Sequence, residues 1–186
     1  MSDILQLKIT LSGSKPPIWR RILVDKKITL THLHQIIQTV MGWYNCHLWT
    51  FELGDESFGP VDKSGMAGFT PDEMNDAAKQ KIGTLAGFEK AKFRYTYDMG
   101  DGWEHQILVE KMLPRTPGQC YPLCIAGKMN CPPEDCGGIW GYYALQEALK
   151  DPKHPEHEDM TEWVGGDFDP VEFDVDAVNQ RLRAEN

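Results

Sequence analysis

KFRYTYDMGDGWEHQILV, residues 92–109, is the stretch that decides the fold class. Phe93, Tyr95 and Tyr97 alternate with Lys92, Arg94 and Thr96, and after a turn Trp103, His105 and Ile107 alternate with Glu104 and Gln106. A period of two leaves one face of each segment apolar, as a half-buried strand requires. Between them Asp98-Met99-Gly100-Asp101-Gly102 supplies residues that tolerate positive φ in a tight connection. The pattern predicts an antiparallel hairpin with His105 on the apolar face, beside Trp103 and Ile107.

The same period appears at the amino terminus. Leu5, Leu7, Ile9 and Leu11 alternate with polar residues, Gly13 to Pro17 interrupt, and Ile18 to Val24 reads as a second strand, so a second hairpin is expected. Thr29 has the character of an N-cap. Leu30, Leu33, Ile37 and Val40/Met41 follow at helical spacing, and Gly42 suits a left-handed C-terminal cap. A third strand is expected with His47, Trp49, Phe51 and Leu53 on one face, then a loop over 54–70. Thr70-Pro71-Asp72-Glu73 has the form of a capping box and predicts a short helix to about Lys79. Residues 113–138 are rich in Pro and Gly and predict irregular structure. Helices are expected over 139–150, from near Pro155, and after Asp174. The whole, 1–186, reads as one α+β domain: a mainly antiparallel sheet with helices packed against it and a helical carboxy-terminal third.

Composition narrows the function. The 186 residues are 41% hydrophobic and 25% charged, ordinary for a globular chain. No apolar run approaches the roughly 18 residues that a membrane span needs, and no leader-like start is present, so a soluble, cytoplasmic protein is expected, without a membrane partner. The net charge of −9 is uneven: residues 1–30 hold six Lys/Arg against two Asp/Glu, and residues 131–186 hold four against fourteen. An acidic chain pays a repulsive cost near a phosphate backbone, which disfavours nucleic acid as a partner. Local contact through the basic edge at Lys15, Arg20, Arg21 and Lys27 is the lowest-ranked alternative. Of five cysteines, Cys120, Cys124, Cys131 and Cys136 are closely spaced, but C-x3-C-x6-C-x4-C is not a paired zinc knuckle; free thiols are expected.

Two segments concentrate reactive side chains. Asp98, Asp101 and His105 lie on and after the central turn; Glu134, Asp135 and Cys136 lie in the rigid CPPEDCGG segment. Carboxylates with an imidazole suit a divalent cation, with Asp98, Asp101, His105, Glu134 and Asp135 as the candidate ligands. The competing expectation is local: Asp98 and Asp101 serve the hairpin's own backbone, and Glu134-Asp135 cap the helix that follows. His47 joins the candidates as a second histidine on an apolar strand face; two such residues on one sheet could face one another across a pocket, which periodicity does not establish. His154 and His157 share an acidic, Pro-punctuated helix face. No G-x-S-x-G elbow, P-loop or G-x-G-x-x-G motif occurs. The six tryptophans offer either core or an aromatic platform.

PPIWRRI (16–22), LHQIIQTVMGW with HLWTF (33–51), YDMGDGWEH (97–105), PPEDCGGIWGY (132–142) and the closing EW…FDPVEFD pattern (162–174) occur in that order. Together they resemble the plasmid pRiA4b open-reading-frame-three-like family over nearly the whole chain. The resemblance implies a fold and an association with mobile elements, and it implies no reaction. Its motif positions here include Arg20, His34, Trp43, His47, Asp98, Asp101, Trp103, His105, Glu134 and Asp135.

The leading functional expectation is a non-enzymatic module that recognises a protein or peptide partner, with no cofactor, through a face near 98–105 and 131–140. Candidate binding residues are His47, Asp98, Asp101, Trp103, His105, Glu134, Asp135 and Cys136. The alternative is a divalent-metal-dependent hydrolase acting on phosphodiesters through the acidic and histidine residues named above.

Overall fold

The structure, a computed structural model, describes residues 2–62, 64, 66, 68–69, 74–166 and 168–185. The chain runs β1 (Ser2–Leu11), β2 (Trp19–Asp25), α1 (Leu30–Met41), β3 (Trp49–Leu53), β4 (Glu56–Gly59), β5 (Asn75–Asp76), α2 (Ile82–Leu85), β6 (Lys92–Tyr97), β7 (Trp103–Pro114), β8 (Leu123–Lys128), α3 (Gly138–Lys150), α4 (His157–Trp163) and α5 (Val175–Ala184). Among the described residues the eight strands form one sheet, in the order β5-β4-β3-β6-β7-β1-β2-β8. All neighbours are antiparallel except β4 and β5. The fold is α+β.

Register follows from the alternation. Phe51 pairs with Tyr95, Tyr95 with His105, and His105 with Leu11, so one row of inward side chains crosses four strands. Leu5, Leu7, Ile9, Ile22, Val24, Phe51, Tyr95, Ile107 and Val109 are all fully buried on this face. Each large apolar side chain withdrawn from water contributes about 2 kcal/mol. Helix α1 covers them: the Thr29 hydroxyl accepts from His32 N at 3.2 Å, and Gly42, at φ 101°, ends the helix by donating to Gln38 O. Helix α5 packs on α1 and β8.

Several sequence expectations need correction. The segment after Leu53 is not wholly loop, because β4 returns against β3 with Phe58 opposite Phe51. The capping box at 70–73 lies outside the described residues; beyond it Asn75–Asp76 is a strand and Ala77–Lys79 a turn, so no helix occupies 74–79. The stretch 113–138 contains β8, which completes a sheet edge by pairing with β2. The carboxy-terminal third is mixed rather than helical: it opens within β8 and an irregular loop, and α3, α4 and α5 are separated by turns and extended segments. No helix among the described residues is long and apolar enough to cross a membrane.

Candidate functional site

The 42–48 loop, the β6–β7 turn and the PPEDCGG loop converge on one point. His34 and Gln38 stand one helical turn apart on α1 and so share a face. His34 Nε2 lies 2.7 Å from Asn45 Oδ1, and Gln38 Oε1 accepts from Asn45 N at 3.1 Å. Both also hold the Tyr95 hydroxyl, at 2.8 and 2.9 Å. This grip places Cys46 and His47 outside the sheet. His47 is therefore a loop residue ahead of β3, not a member of the strand's apolar face as the alternation predicts. The left-handed conformation of Asn45 (φ 56°) turns the chain between the α1 grip and the strand.

His47 meets the acidic residues instead of His105. Its Nε2 lies 3.1 Å from Asp135 Oδ1, 3.7 Å from Asp98 Oδ2 and 3.9 Å from Glu134 Oε2. The ligand atoms of His47, Asp98 and Asp135 all lie within 4.8 Å of one another, as do those of Cys46, His47 and Glu134. His47 Nε2 and Glu134 Oε2 are buried atoms with no hydrogen-bond partner, so the carboxylates approach the imidazole closely without hydrogen bonds of good geometry. The side chains of Asp98 and Glu134 are only 9% and 10% exposed; that of Asp135 is 67% exposed.

Each carboxylate divides its two oxygens. Asp98 Oδ1 accepts from Gly100 N at 2.8 Å, the turn chemistry that the sequence predicts, and leaves Oδ2 toward His47. Glu134 Oε1 accepts from Tyr44 N at 2.8 Å and from the Tyr97 hydroxyl at 3.1 Å, leaving Oε2 toward His47. Tyr97 in turn accepts from Cys46 N at 3.0 Å. Burial, with help from the Cys46 thiol and the Glu134 carboxylate, pushes the Tyr97 phenol well up, so it stays a donor. Glu134 does not cap α3. The cap is Gly137 (φ 87°), whose N–H donates to Asp101 Oδ2 at 3.1 Å. Asp101 thereby joins the turn to the PPEDCGG loop rather than joining the cluster. Trp43 Nε1 adds a second tie, donating to Pro132 O at 3.0 Å.

The remaining candidates fall elsewhere. His105 is fully buried against Trp43 (5.3 Å) and Tyr95 (5.4 Å); burial lowers its pKa to about 4, against a smaller opposing effect of the Trp103 and Tyr95 backbones. Trp103, 1% exposed, is core beside Trp43. Burial pushes the Cys136 thiol up to about 12, with Asp101 and Asp135 adding to the effect, so it is held as the neutral thiol. The basic edge does not form a patch: Arg20 and Arg21 alternate across β2, Arg20 inward, and Arg21 outward in a bidentate pair with Glu110 at 2.6 and 2.8 Å. Lys15 and Lys27 are exposed. His154 and His157 serve local backbone bonds, to Glu156 N and Ala148 O. Sequence reasoning missed Cys46, Tyr44 and Tyr97; the adjacency Cys46-His47 was the available signal.

The profile of the family described as plasmid pRiA4b ORF-3-like protein matches residues 3–177. The chain belongs to this family. It is 37% identical over 184 residues to the uncharacterized protein y4hQ of Sinorhizobium fredii, covering 98% of this chain and 92% of that protein. It is also similar to the crystal structure of a protein of unknown function, MM3350, from Methanosarcina mazei Go1, at 39% identity and a TM-score of 0.83, covering 93% of this chain and 96% of that one. In this pRiA4b ORF-3-like chain the His47 cluster lies on three loops at one end of the sheet.

Proposed function

We propose that the protein binds a divalent cation between His47, Asp98, Glu134 and Asp135, with Cys46 at its edge, and uses it to hydrolyse a phosphoester. The observation that carries this reading is the approach of His47 Nε2 to three carboxylate oxygens at 3.1 to 3.9 Å, with the nitrogen and Glu134 Oε2 buried and unpartnered. Three carboxylates held together repel, and the repulsion becomes attraction around a cation. Within each of two triads that share His47, one with Asp98 and Asp135 and one with Cys46 and Glu134, donor atoms up to 4.8 Å apart span an octahedral sphere with little movement, since opposite ligands at about 2.1–2.4 Å stand about 4.2–4.8 Å apart. Imidazole with carboxylates favours zinc, manganese or iron over magnesium. Open positions would hold a water of lowered pKa as the nucleophile.

The test is elemental analysis of untagged protein after dialysis, beside His47→Ala. About one ion per wild-type chain, lost in the variant with circular dichroism unchanged, supports the reading. Equal metal content in both proteins overturns it.

A second reading, a module that captures a protein or peptide without catalysis, is favoured by Tyr44 and Trp140, which are 84% and 81% exposed near the same loops. It predicts that Tyr44→Ala and Trp140→Ala abolish partner capture and leave metal content unchanged.

A further inference from the structure

A cleft of about 590 Å³ runs from Trp43, Tyr44 and Glu134 to α5, and two arginines, Arg20 and Arg181, line it. Arg20 is 2% exposed, yet all its partners are neutral: Nε donates to Val40 O at 2.8 Å, and Nη1 to Trp19 O at 3.0 Å and Lys128 O at 3.1 Å. Its guanidinium lies 4.3 Å over the Phe173 ring. That ring packs on Gly127, where any Cβ would come within 2.5 Å of it, and Gly127 is the register partner of Arg20 on β8. The wall is therefore fixed. Among the described residues neither arginine has a carboxylate within ion-pair distance, and Arg20 Nη2 has no hydrogen-bond partner.

A buried cation without a counter-ion is costly, and the nearby charge of Arg181 adds to the cost. A purely structural staple explains Nε and Nη1, which tie β2 to α1 and β8. It leaves Nη2 without a protein partner, and it does not involve Arg181, an exposed residue on the last turn of α5 that lines the same cleft. The carboxylates on the cleft do not supply the counter-charge: Asp174 caps α5 through Asp176 N and Ala177 N, Glu185 accepts from Thr39, and Glu134 faces His47. Glu172, the remaining acid on the wall, makes no ion pair.

We propose that this cleft is an anion site in which Arg20 and Arg181 hold a phosphate group. Guanidinium forks match phosphate oxygens bidentately, and two such charges match the charge of about −1.5 to −2 on a phosphate monoester better than the single charge of a carboxylate. Glu134 lines the same cleft and also faces His47, so the cleft adjoins the His47 cluster. The inference rests on the metal reading for the reaction that follows, and not for the binding.

The test is calorimetric titration of chelator-treated protein with inorganic phosphate and with acetate at low salt, using wild type, Arg181→Met and His47→Ala. Arg181 is on the last turn of α5 and makes no ion pair, so Arg181→Met keeps the helix and tests the site where Arg20 substitution would disturb the fold. Saturable phosphate binding, at least tenfold weaker in Arg181→Met, unchanged in His47→Ala and weaker for acetate, supports the proposal. No saturable phosphate binding by wild type, or equal binding by Arg181→Met, overturns it even if metal is found. Phosphate binding kept while no metal is found overturns the metal reading alone.

Discussion

His47 Nε2 and Asp135 Oδ1 stand 3.1 Å apart, on two loops that no strand pairing joins directly. The contact exists because Asn45 is held by α1 on one side, and because Asp101 and Trp43 hold the PPEDCGG loop on the other. The cluster is thus a product of loop anchoring at long range.

His47→Ala and His105→Ala separate the cluster from the core. His47→Ala is expected to weaken metal at least about 100-fold with small change in stability. His105→Ala leaves a cavity beneath Trp43 and Tyr95, lowering stability by about 2 kcal/mol or more while metal stoichiometry holds. Metal titration and urea unfolding of both variants check this.

Tyr97→Phe removes the hydroxyl that donates to Glu134 Oε1 and accepts from Cys46 N. Glu134 loses one of two anchors, so metal affinity is expected to fall about 10-fold, the usual effect of losing a group that orients a ligand. Competition with a metallochromic chelator reads this directly. Affinity equal to wild type would show that Tyr44 N alone positions the carboxylate.

His34 and His105 give stability a pH dependence of definite sign. Burial lowers both pKa values from 6.5 to about 4. Below pH 6.5 the unfolded chain takes up protons that the folded chain refuses until about pH 4. Stability therefore falls as pH drops through this window, by on the order of 3 kcal/mol per histidine across it. Unfolding free energies at pH 7 and 5 check the slope. His105→Phe should flatten it in part, leaving the share that His34 contributes.

Gly138→Ala and Gly102→Ala test the junction of turn and loop. Both glycines have positive φ, 68° and 67°. At Gly102 an added Cβ meets nothing within 4 Å, so only backbone strain of about 1 kcal/mol is expected. At Gly138 the Cβ would lie 2.6 Å from Asp101 O, so Gly138→Ala should cost clearly more, about 2–3 kcal/mol, and weaken metal by prising the loop from the turn. Equal costs in chemical denaturation would show that the two segments are not rigidly joined.

The strands were legible where alternation was strong. Phe93 to Tyr97 and Trp103 to Val109 pair as their periodicity predicts, and Thr29 and Gly42 bound α1 as their chemistry predicts. Asp98 meets the turn expectation through Oδ1 and approaches His47 through Oδ2, because a carboxylate has two oxygens. Period-two counting failed at His47, where the strand begins two residues later, and at 123–128, where Pro and Gly on both sides concealed an edge strand.

By itself the sequence determined which faces are buried, since apolar periodicity acts through nearest neighbours along the chain, and it singled out the two polar segments at 98–105 and 131–138. Only the tertiary structure decided which of their residues meet. It assigned Asp98, Glu134 and Asp135 to His47, set Asp101 to bracing the loop, and sank His105 in the core. The same holds for Arg20 and Arg21, adjacent in sequence, one facing a cleft and the other a surface carboxylate. Such convergence depends on hydrogen bonds between residues as far apart as Tyr44 and Glu134, and no local pattern encodes a contact across 90 positions.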